Sequence, residues 1–361
     1  MSPSALIVGA GIVGAAIADR LQAVGCAVTL FEADLPAGGA TAAAMGHLVV
    51  LDDSPAQLSL CARGLALWRR ERLPASCERE TRGTVWVARD AGEMDEARAK
   101  AERYARIGLA AELLDPDQLR AAEPALRPGL AGGLRVPGDQ VLYPVGGARF
   151  LLDRAMAGGA VLRRERVRVL EPGGLRTDTG LFKADAVILA AGLGCTALLP
   201  ELAITPRKGH LAITGRVPGL VRHQLIELGY LKSAHGRDGA SVAFNVQPRA
   251  TGQLLIGSSR EFAGLDPAPN RELLGRMLRT ALDYLPALDQ VPVLRVWTGF
   301  RPCGPGNLPM VGPWPGRAGL FVAAGHEGLG ITTALATAEL AAHHLLGTET
   351  MLDPAPFLPH G

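Results

Sequence analysis

Short apolar runs that end in glycine mark both ends of this chain. Near the N-terminus Ala5-Leu-Ile-Val8 leads into Gly9-Ala-Gly-Ile-Val-Gly14, and a second apolar run, Ala27-Val-Thr-Leu-Phe31, is closed by Glu32. This pattern predicts a buried strand, a tight turn, a helix starting near Ile12, and a second strand ending in an acid. The same order recurs late in the chain. Leu320-Phe-Val-Ala-Ala324 reads as a strand, Gly325-His-Glu-Gly-Leu-Gly330 as a turn, and Ile331 to Leu346 as a helix.

Between these ends the periodicity changes several times. Asp53-Ser54-Pro55 caps and starts a helix whose apolar positions Leu58, Cys61, Ala62, Leu65 and Trp68 share one face. A strand from Gly83 to Ala88, a charged helix around Gly92 to Arg106 and a short helix opened by Asp115-Pro116 and ending at Ala122 follow. Tyr143-Pro-Val-Gly-Gly147 leads to a helix over Ala148 to Ala157, and Arg166 to Leu170 reads as a strand before the Gly173-Gly174 turn. Ala186-Val-Ile-Leu-Ala-Ala-Gly192 is nearly all apolar, as strands of a buried parallel sheet are. From Lys208 to Arg260 the runs 209–214, 225–228, 241–244 and 252–257 are separated by turns and predict an antiparallel sheet. A helix over Arg271 to Tyr284 and a strand over Val291 to Thr298 bring the chain to Gly299-Phe-Arg-Pro302. The fold class expected is α/β, a Rossmann-like dinucleotide domain with a second α+β domain on an antiparallel sheet. The first domain is discontinuous, over residues 1–45, 143–205 and 299–361. Residues 46–142 and 206–298 form the substrate domain.

The N-terminal pattern carries chemistry. In Gly9-x-Gly11-x-x-Gly14 the first glycine makes the turn, the second lets backbone approach a pyrophosphate and the third packs helix on strand, while Glu32 is placed to accept from ribose hydroxyls. That motif fits FAD and NAD(P) equally, because both lay a pyrophosphate on the helix N-terminus. The second glycine turn favours flavin, since a helix N-terminus suits the edge of an isoalloxazine ring that gains negative charge on reduction.

Composition narrows the alternatives. With 361 residues, 48% of them hydrophobic, the chain can bury two cores. A net charge of +2 and 4% aromatic residues give no reason to expect nucleic acid as a partner. Cys26, Cys61, Cys77, Cys195 and Cys303 are scattered without a CxxC pair and read as reduced thiols. The eight histidines form no ligand-spaced cluster with cysteines or carboxylates, so no metal is expected. Met1-Ser-Pro-Ser lacks a basic leader and no run of 18 apolar residues occurs, so a cytoplasmic protein without a transmembrane segment is expected. Peripheral attachment to the inner membrane stays open.

Further motifs span most of the chain: Gly39-Ala-Thr41 through Met45-Gly46, Ala190-Ala-Gly192, Pro206-Arg-Lys-Gly209, Gly299-Phe-Arg-Pro302, Leu308-Pro-Met-Val-Gly312 and Gly325-His-x-Gly328-x-Gly330. Together with the N-terminal turn they resemble the D-amino-acid oxidase superfamily of FAD-dependent amine oxidoreductases, which includes glycine oxidase and sarcosine oxidase. Residues 45–53, 223–233 and 244–260 resemble the flavin subunits of bacterial D-hydroxyproline dehydrogenases, with opine oxidase and hydrogen cyanide synthase as relatives. The resemblance implies oxidation of a small amino acid, D-hydroxyproline or D-proline favoured, to its imine by hydride transfer from the alpha carbon to flavin N5. It also implies a hetero-oligomer with other redox subunits as one arrangement. Glycine or opine oxidation, or electron transfer without a substrate site, are the competing readings.

By the same resemblance FAD would meet Gly9, Gly11, Ile12, Gly14, Glu32, Thr41, Met45, Gly46, Ala191, Gly192, Arg301, His326, Glu327, Gly328, Leu329, Gly330 and Thr332. Arg301 resembles the arginine that holds a substrate carboxylate, a task suited to a bidentate guanidinium, with a structural salt bridge as the competing use. Tyr230 and His47 are the other candidate catalytic residues, and each has a packing alternative. Lys232, Gln247 and Arg249 are further pocket candidates, whereas His210 reads as a satisfied sheet residue. Two departures stand out. Gly304-Pro305-Gly306-Asn307 replaces a Thr-Pro-Asp run common in the family, and Gly299 stands where sarcosine oxidases attach their flavin through cysteine, which implies noncovalent FAD.

Overall fold

The computed structural model describes residues 2–229 and 240–360. The chain divides into two compact units: unit 1 is Met1–Cys77, Leu142–Pro206 and Phe300–Gly361, and unit 2 is Glu78–Val141 and Arg207–Gly299. In chain order, unit 1 begins with β1 (Ser4–Val8), α1 (Ile12–Ala23), β2 (Ala27–Phe31), α2 (Gly39–Ala43), β3 (His47–Leu48) and α3 (Pro55–Arg70). Unit 2 follows with β4 (Thr84–Ala88), α4 (Ala91–Arg106), β5 (Glu112–Leu114), α5 (Pro116–Ala122), β6 (Gly132–Val136) and β7 (Gln140–Val141). The chain re-enters unit 1 through α6 (Pro144–Ala157), β8 (Val161–Arg163), β9 (Val167–Glu171), β10 (Gly174–Thr177), β11 (Leu181–Lys183), β12 (Ala186–Leu189) and α7 (Cys195–Leu198). Then come β13 (Thr205–Arg216), β14 (Gln224–Glu227), β15 (Ser241–Pro248), β16 (Gln253–Arg260), α8 (Arg271–Tyr284) and β17 (Val293–Cys303). Unit 1 ends with β18 (Met310–Pro313), β19 (Leu320–Ala324) and α9 (Gly330–Leu346).

Unit 1 is built on a six-stranded sheet in the order β18-β19-β12-β1-β2-β8. The strands from β19 to β8 run parallel and β18 is antiparallel to β19. β1 and β12 are buried almost throughout, which is why both read as unbroken apolar runs. Helix α1 packs on α6 and α9, and α9 packs on α3.

The segment 46–77, expected in the substrate domain, belongs to unit 1. Its helix α3 begins on Ser54, whose hydroxyl accepts from Gln57 N at 3.1 Å, and buries Leu60, Cys61, Leu65 and Trp68. The Trp68 indole donates to the Ile331 carbonyl of α9 at 2.9 Å. That contact ties the segment to the C-terminal helix. A second difference concerns Gly299-Phe-Arg-Pro302, expected to follow a strand and found inside one, because β17 continues to Cys303.

Unit 2 holds an eight-stranded sheet in the order β17-β13-β16-β15-β14-β4-β6-β5. Pairing is antiparallel at β13/β16, β16/β15, β15/β14, β4/β6 and β6/β5, whereas β14 and β4 run parallel. One face buries Val85, Val87, Leu225, Phe244 and Val246 against Met277, Ala281 and Tyr284 of α8. Phe244 stacks on Tyr284 with ring centroids 4.1 Å apart, and the Tyr284 hydroxyl donates to Glu227 Oε2 at 3.0 Å.

The approach of α3 to α9 has a measurable consequence. A Cβ at Gly64 would stand 2.2 Å from the Thr332 carbonyl oxygen. Gly64→Ala forces the helices apart and is expected to cost about 1–3 kcal/mol, read as a lower Tm; an unchanged Tm would contradict this packing.

Candidate cofactor and substrate site

The first turn is a contact between bare backbones. Gly9 has φ +105° and its N–H donates to the Phe31 carbonyl at 2.8 Å. A Cβ at Gly14 would lie 1.9 Å from the Gly9 oxygen, so α1 can sit on the turn only with glycine at this position. At Gly9 a Cβ would meet Ala191 Cα at 2.7 Å, which sets Ala191 and Gly192 beside the turn. At Gly11 a Cβ would meet only the Thr41 hydroxyl, at 3.2 Å. The backbone of Gly11 therefore keeps an open side. Thr41 accepts from Ile12 N at 3.0 Å, and α1 has no side-chain cap from its N-cap residue. Glu32 is fixed at the turn by accepting from Ala10 N at 2.8 Å and from Asp34 N at 2.9 Å. A helix N-terminus whose own N-cap residue is a bare glycine, an open backbone side and a positioned acid fit the pyrophosphate and ribose of an adenine dinucleotide.

The second turn brings β17 to the start of α9. Gly304 N donates to the Gly325 carbonyl at 3.3 Å, and Cys303 bridges to His326. Glu327, with φ +48°, donates its N–H to the Pro302 carbonyl at 2.8 Å. Arg301 lies over the turn: a Cβ at Gly328 would stand 3.5 Å from its Nε. Glu327 Oε1 is 3.8 Å from the same Nε, and Oε2 accepts from Gly328 N. A guanidinium, a carboxylate and the N-terminal turn of α9 at Leu329 and Gly330 are thus held together, and α9 has no side-chain cap.

Other candidates occupy supporting positions. His326 is buried, shares a 2.9 Å hydrogen bond between Nε2 and the Thr337 hydroxyl, and has its pKa pushed down to about 4 by burial. Its imidazole is neutral at ordinary pH and committed to α9. The Thr332 hydroxyl donates to the His47 carbonyl at 2.9 Å and accepts from Val49 N at 3.2 Å, so it anchors β3 to α9. Met45 and Gly46 precede β3. Gly46 has φ +89°, and a Cβ there would collide with the Leu142 oxygen at 1.8 Å. His47 follows that constrained turn and is half-buried.

The departure at 304–307 forms a tight turn in which Gly306 and Asn307 have φ +64° and +58°. Cys303 Sγ donates to Asn307 Oδ1 at 3.2 Å. Tyr230 and Lys232 lie outside the described residues. In unit 2, Gln247 and Arg249 belong to a polar chain: Gln224 donates to Thr84, Gln247 to Gln224, and Arg249 to Gln247 and Glu78, at 2.7–3.3 Å. His210 accepts from Asn270 N at 2.9 Å and bonds Ser259 at 2.8 Å, which makes it a satisfied sheet residue. Sequence reasoning missed Asn245 and Ser258. Both are buried, and Asn245 Oδ1 and Ser258 Oγ have no hydrogen-bond partner among the described residues. Asn245 stands between Phe244 and Val246, whose side chains pack in the core under α8, so alternation puts it on the opposite sheet face. A polar residue interrupting that apolar run was the available signal.

The family model described as DAO, FAD dependent oxidoreductase, matches residues 4–344. The chain belongs to this family. It is similar to the glycine oxidase of Pseudomonas putida, with 29% identity over all of this chain and 99% of the relative. The hydrogen cyanide synthase subunit HcnC of Pseudomonas aeruginosa is 31% identical over 93% of this chain and 82% of that relative. Among solved structures, glycine oxidase from Geobacillus kaustophilus matches with a TM-score of 0.86 and 26% identity, covering 99% of this chain and 98% of that one. The protein is an FAD-dependent oxidoreductase, and the glycine turn, Glu32 and the N-termini of α1 and α9 fit that cofactor. Among the described residues no group of three or more histidine, cysteine, aspartate and glutamate side chains could hold a metal, and no helix is long and apolar enough to cross a membrane.

Two outcomes follow from the turns. Gly11→Leu fills the open side of the first turn, and the purified variant is expected to be folded by circular dichroism but nearly free of FAD; full occupancy would contradict the placement. Neutral His326 has a folded pKa below its ordinary 6.5, so its contribution is complete above pH 6.5 and is lost as pH falls towards about 4. The loss is on the order of 3 kcal/mol. In His326→Gln the fall in Tm over that interval should be smaller than in the wild type, and an equal fall would show that another group dominates.

Proposed function

We propose that this flavoenzyme oxidises the Cα–N bond of a small amino acid whose carboxylate is held by Arg301, with D-hydroxyproline or D-proline as preferred substrate. The observation that carries the reading is the placement of the Arg301 guanidinium over Gly328, at the N-terminal turn of α9. Such a fork fixes a carboxylate by two parallel hydrogen bonds, which sets orientation as well as charge. FAD, bound noncovalently on the Gly9 to Gly14 turn, supplies the acceptor for the hydride leaving Cα. Arg301 does not touch the hydrogen that leaves; it removes the rotational freedom of the carbon that carries it. Burial of Pro302 behind the fork and the Glu327 N–H bond to its carbonyl hold β17 in place while Arg301 binds.

Glycine is the second reading, favoured by the glycine oxidase relatives that match the chain over its full length. A cyclic D-amino acid is preferred because residues 45–53, 223–233 and 244–260 resemble D-hydroxyproline dehydrogenase flavin subunits. The HcnC relative is named as a subunit, which supports work beside other redox chains.

Arg301→Lys keeps the charge and loses the fork. It should retain FAD while the efficiency of anaerobic flavin reduction by D-hydroxyproline falls about 10- to 1000-fold, and Arg301→Ala should fall further. Slow reduction by pyrrolidine, which has no carboxylate, should hardly differ between wild type and variants. Wild-type efficiency in both variants would place the anchor elsewhere, and faster reduction of the wild type by glycine than by D-hydroxyproline would select the second reading.

A further inference from the structure

We infer that Thr332 is a positioning residue for the flavin: its hydroxyl locks the backbone on either side of Leu48 to the first turn of α9, and so fixes Met45, Gly46 and His47 relative to the helix N-terminus that meets the ring. This rests on the reading that FAD lies along Met45, Gly46 and the turn from Gly325 to Gly330. The starting observation is that one oxygen makes two backbone bonds. Thr332 Oγ1 donates to the His47 carbonyl at 2.9 Å and accepts from Val49 N at 3.2 Å. A residue of a neighbouring parallel strand would bond the same two groups through its own N–H and C=O. Here a helix does so through a side chain.

A hydroxyl has a single proton to donate. That proton is on the His47 carbonyl, and Thr332 is wholly buried among the chain's own atoms. Its side chain therefore acts on the segment that the family resemblance sets along the flavin, and not on the cofactor itself. Both sides of the lock are held. On the far side of α9 the Ile331 carbonyl accepts from the Trp68 indole at 2.9 Å, and a Cβ at Gly64 of α3 would stand 2.2 Å from the Thr332 carbonyl oxygen, so the helix has no room to recede. On the near side Leu142 N donates to the Gly46 carbonyl at 2.9 Å, and Leu48, Val49 and Val50 are buried. The segment 46–49 is thus fixed at Gly46 and again on each side of Leu48.

Electrostatics turns this lock into chemistry. The N-terminus of α9 is positive, its effect falls off within one helical turn, and an isoalloxazine ring gains negative charge on reduction. Reduced flavin is therefore favoured over oxidised flavin only while the segment beside the ring and the helix keep their spacing. Valine has the shape of threonine without the hydroxyl. In its place the His47 carbonyl and Val49 N–H lose their partner in a buried setting, and β3 draws away from α9 to find another. The reduced ring then loses more than the oxidised ring, which lowers the potential and slows hydride acceptance.

The test uses the FAD-loaded protein and reads the flavin midpoint potential, which needs no substrate, together with the limiting rate and dissociation constant of anaerobic reduction by D-proline. Thr332→Val should keep its fold by circular dichroism and its FAD. Its preference for reduced flavin should weaken about tenfold, a fall of about 30 mV for a two-electron couple, and the limiting rate should fall about tenfold while the dissociation constant changes less than about threefold. Thr332→Ser should restore both. Thr332→Cys, a weaker donor in the same place, should lie between and carries the comparison should the valine variant lose FAD. A wild-type potential and rate in Thr332→Val overturn the inference, and so does an equal fall in valine and serine, which would mark the methyl group and not the hydroxyl as the cause. His47→Gln reports on the reading beneath it. A shifted flavin absorption in that variant, with an unmoved potential in Thr332→Val, removes the lock and keeps the flavin beside β3, whereas no change in either takes the flavin away from that segment and the inference with it.

Discussion

Everything in the cofactor unit depends on α1 resting on the carbonyl of Gly9. A side chain at Gly14 would stand 1.9 Å from that oxygen, so the helix reaches its place only because the contact is bare backbone. With α1 seated there, its first N–H groups face the turn, Glu32 can bond Ala10 N, and the helix packs along α6 and α9. Helix α9 then takes α3 at Gly64 and Trp68, and its own first turn meets the end of β17. The open turn at Gly11 and the placement of Arg301 beside the first turn of α9 are consequences of the same close packing of glycine-started helices.

The second turn balances charge. Helix N-termini attract anions, and Arg301 adds a full positive charge beside one of them. Left uncompensated, such a site would fill with whatever anion is abundant. Glu327, with Oε1 3.8 Å from the Arg301 Nε, offsets part of that excess. His326 contributes nothing to this balance because burial keeps it neutral, and its bond to Thr337 instead fixes the turn to α9.

The glycine turns were legible from sequence because their function is carried by backbone, and bare backbone requires glycine at fixed intervals. Ser54-Pro55 and Asp115-Pro116 were legible for a similar local reason, since caps act within one helical turn, and both helices begin there. What stayed hidden depends on distant residues. No local signal assigns α3 to the cofactor unit, because its partner Ile331 lies 263 positions away. The periodicity of Val293 to Thr298 does not announce that β17 runs on to Cys303, since Gly299 and Pro302 are strand breakers whose cost the neighbouring turn absorbs. Glu327 could be read as a motif residue, while its orientation towards Arg301 follows from a left-handed φ that sequence does not display. Asn245 was visible as a polar interruption, and only the burial of its oxygen, unpartnered among the described residues, gives it weight.

Anaerobic mixing of the wild-type holoprotein with a panel of D- and L-amino acids, alongside the corresponding amines without a carboxylate, tests the account most directly. It predicts that the flavin is bleached by a small amino acid, fastest by cyclic D-amino acids, and only slowly by the matching amine. Flavin that stays oxidised with every amino acid, or is bleached as quickly by amines that lack a carboxylate, would contradict it.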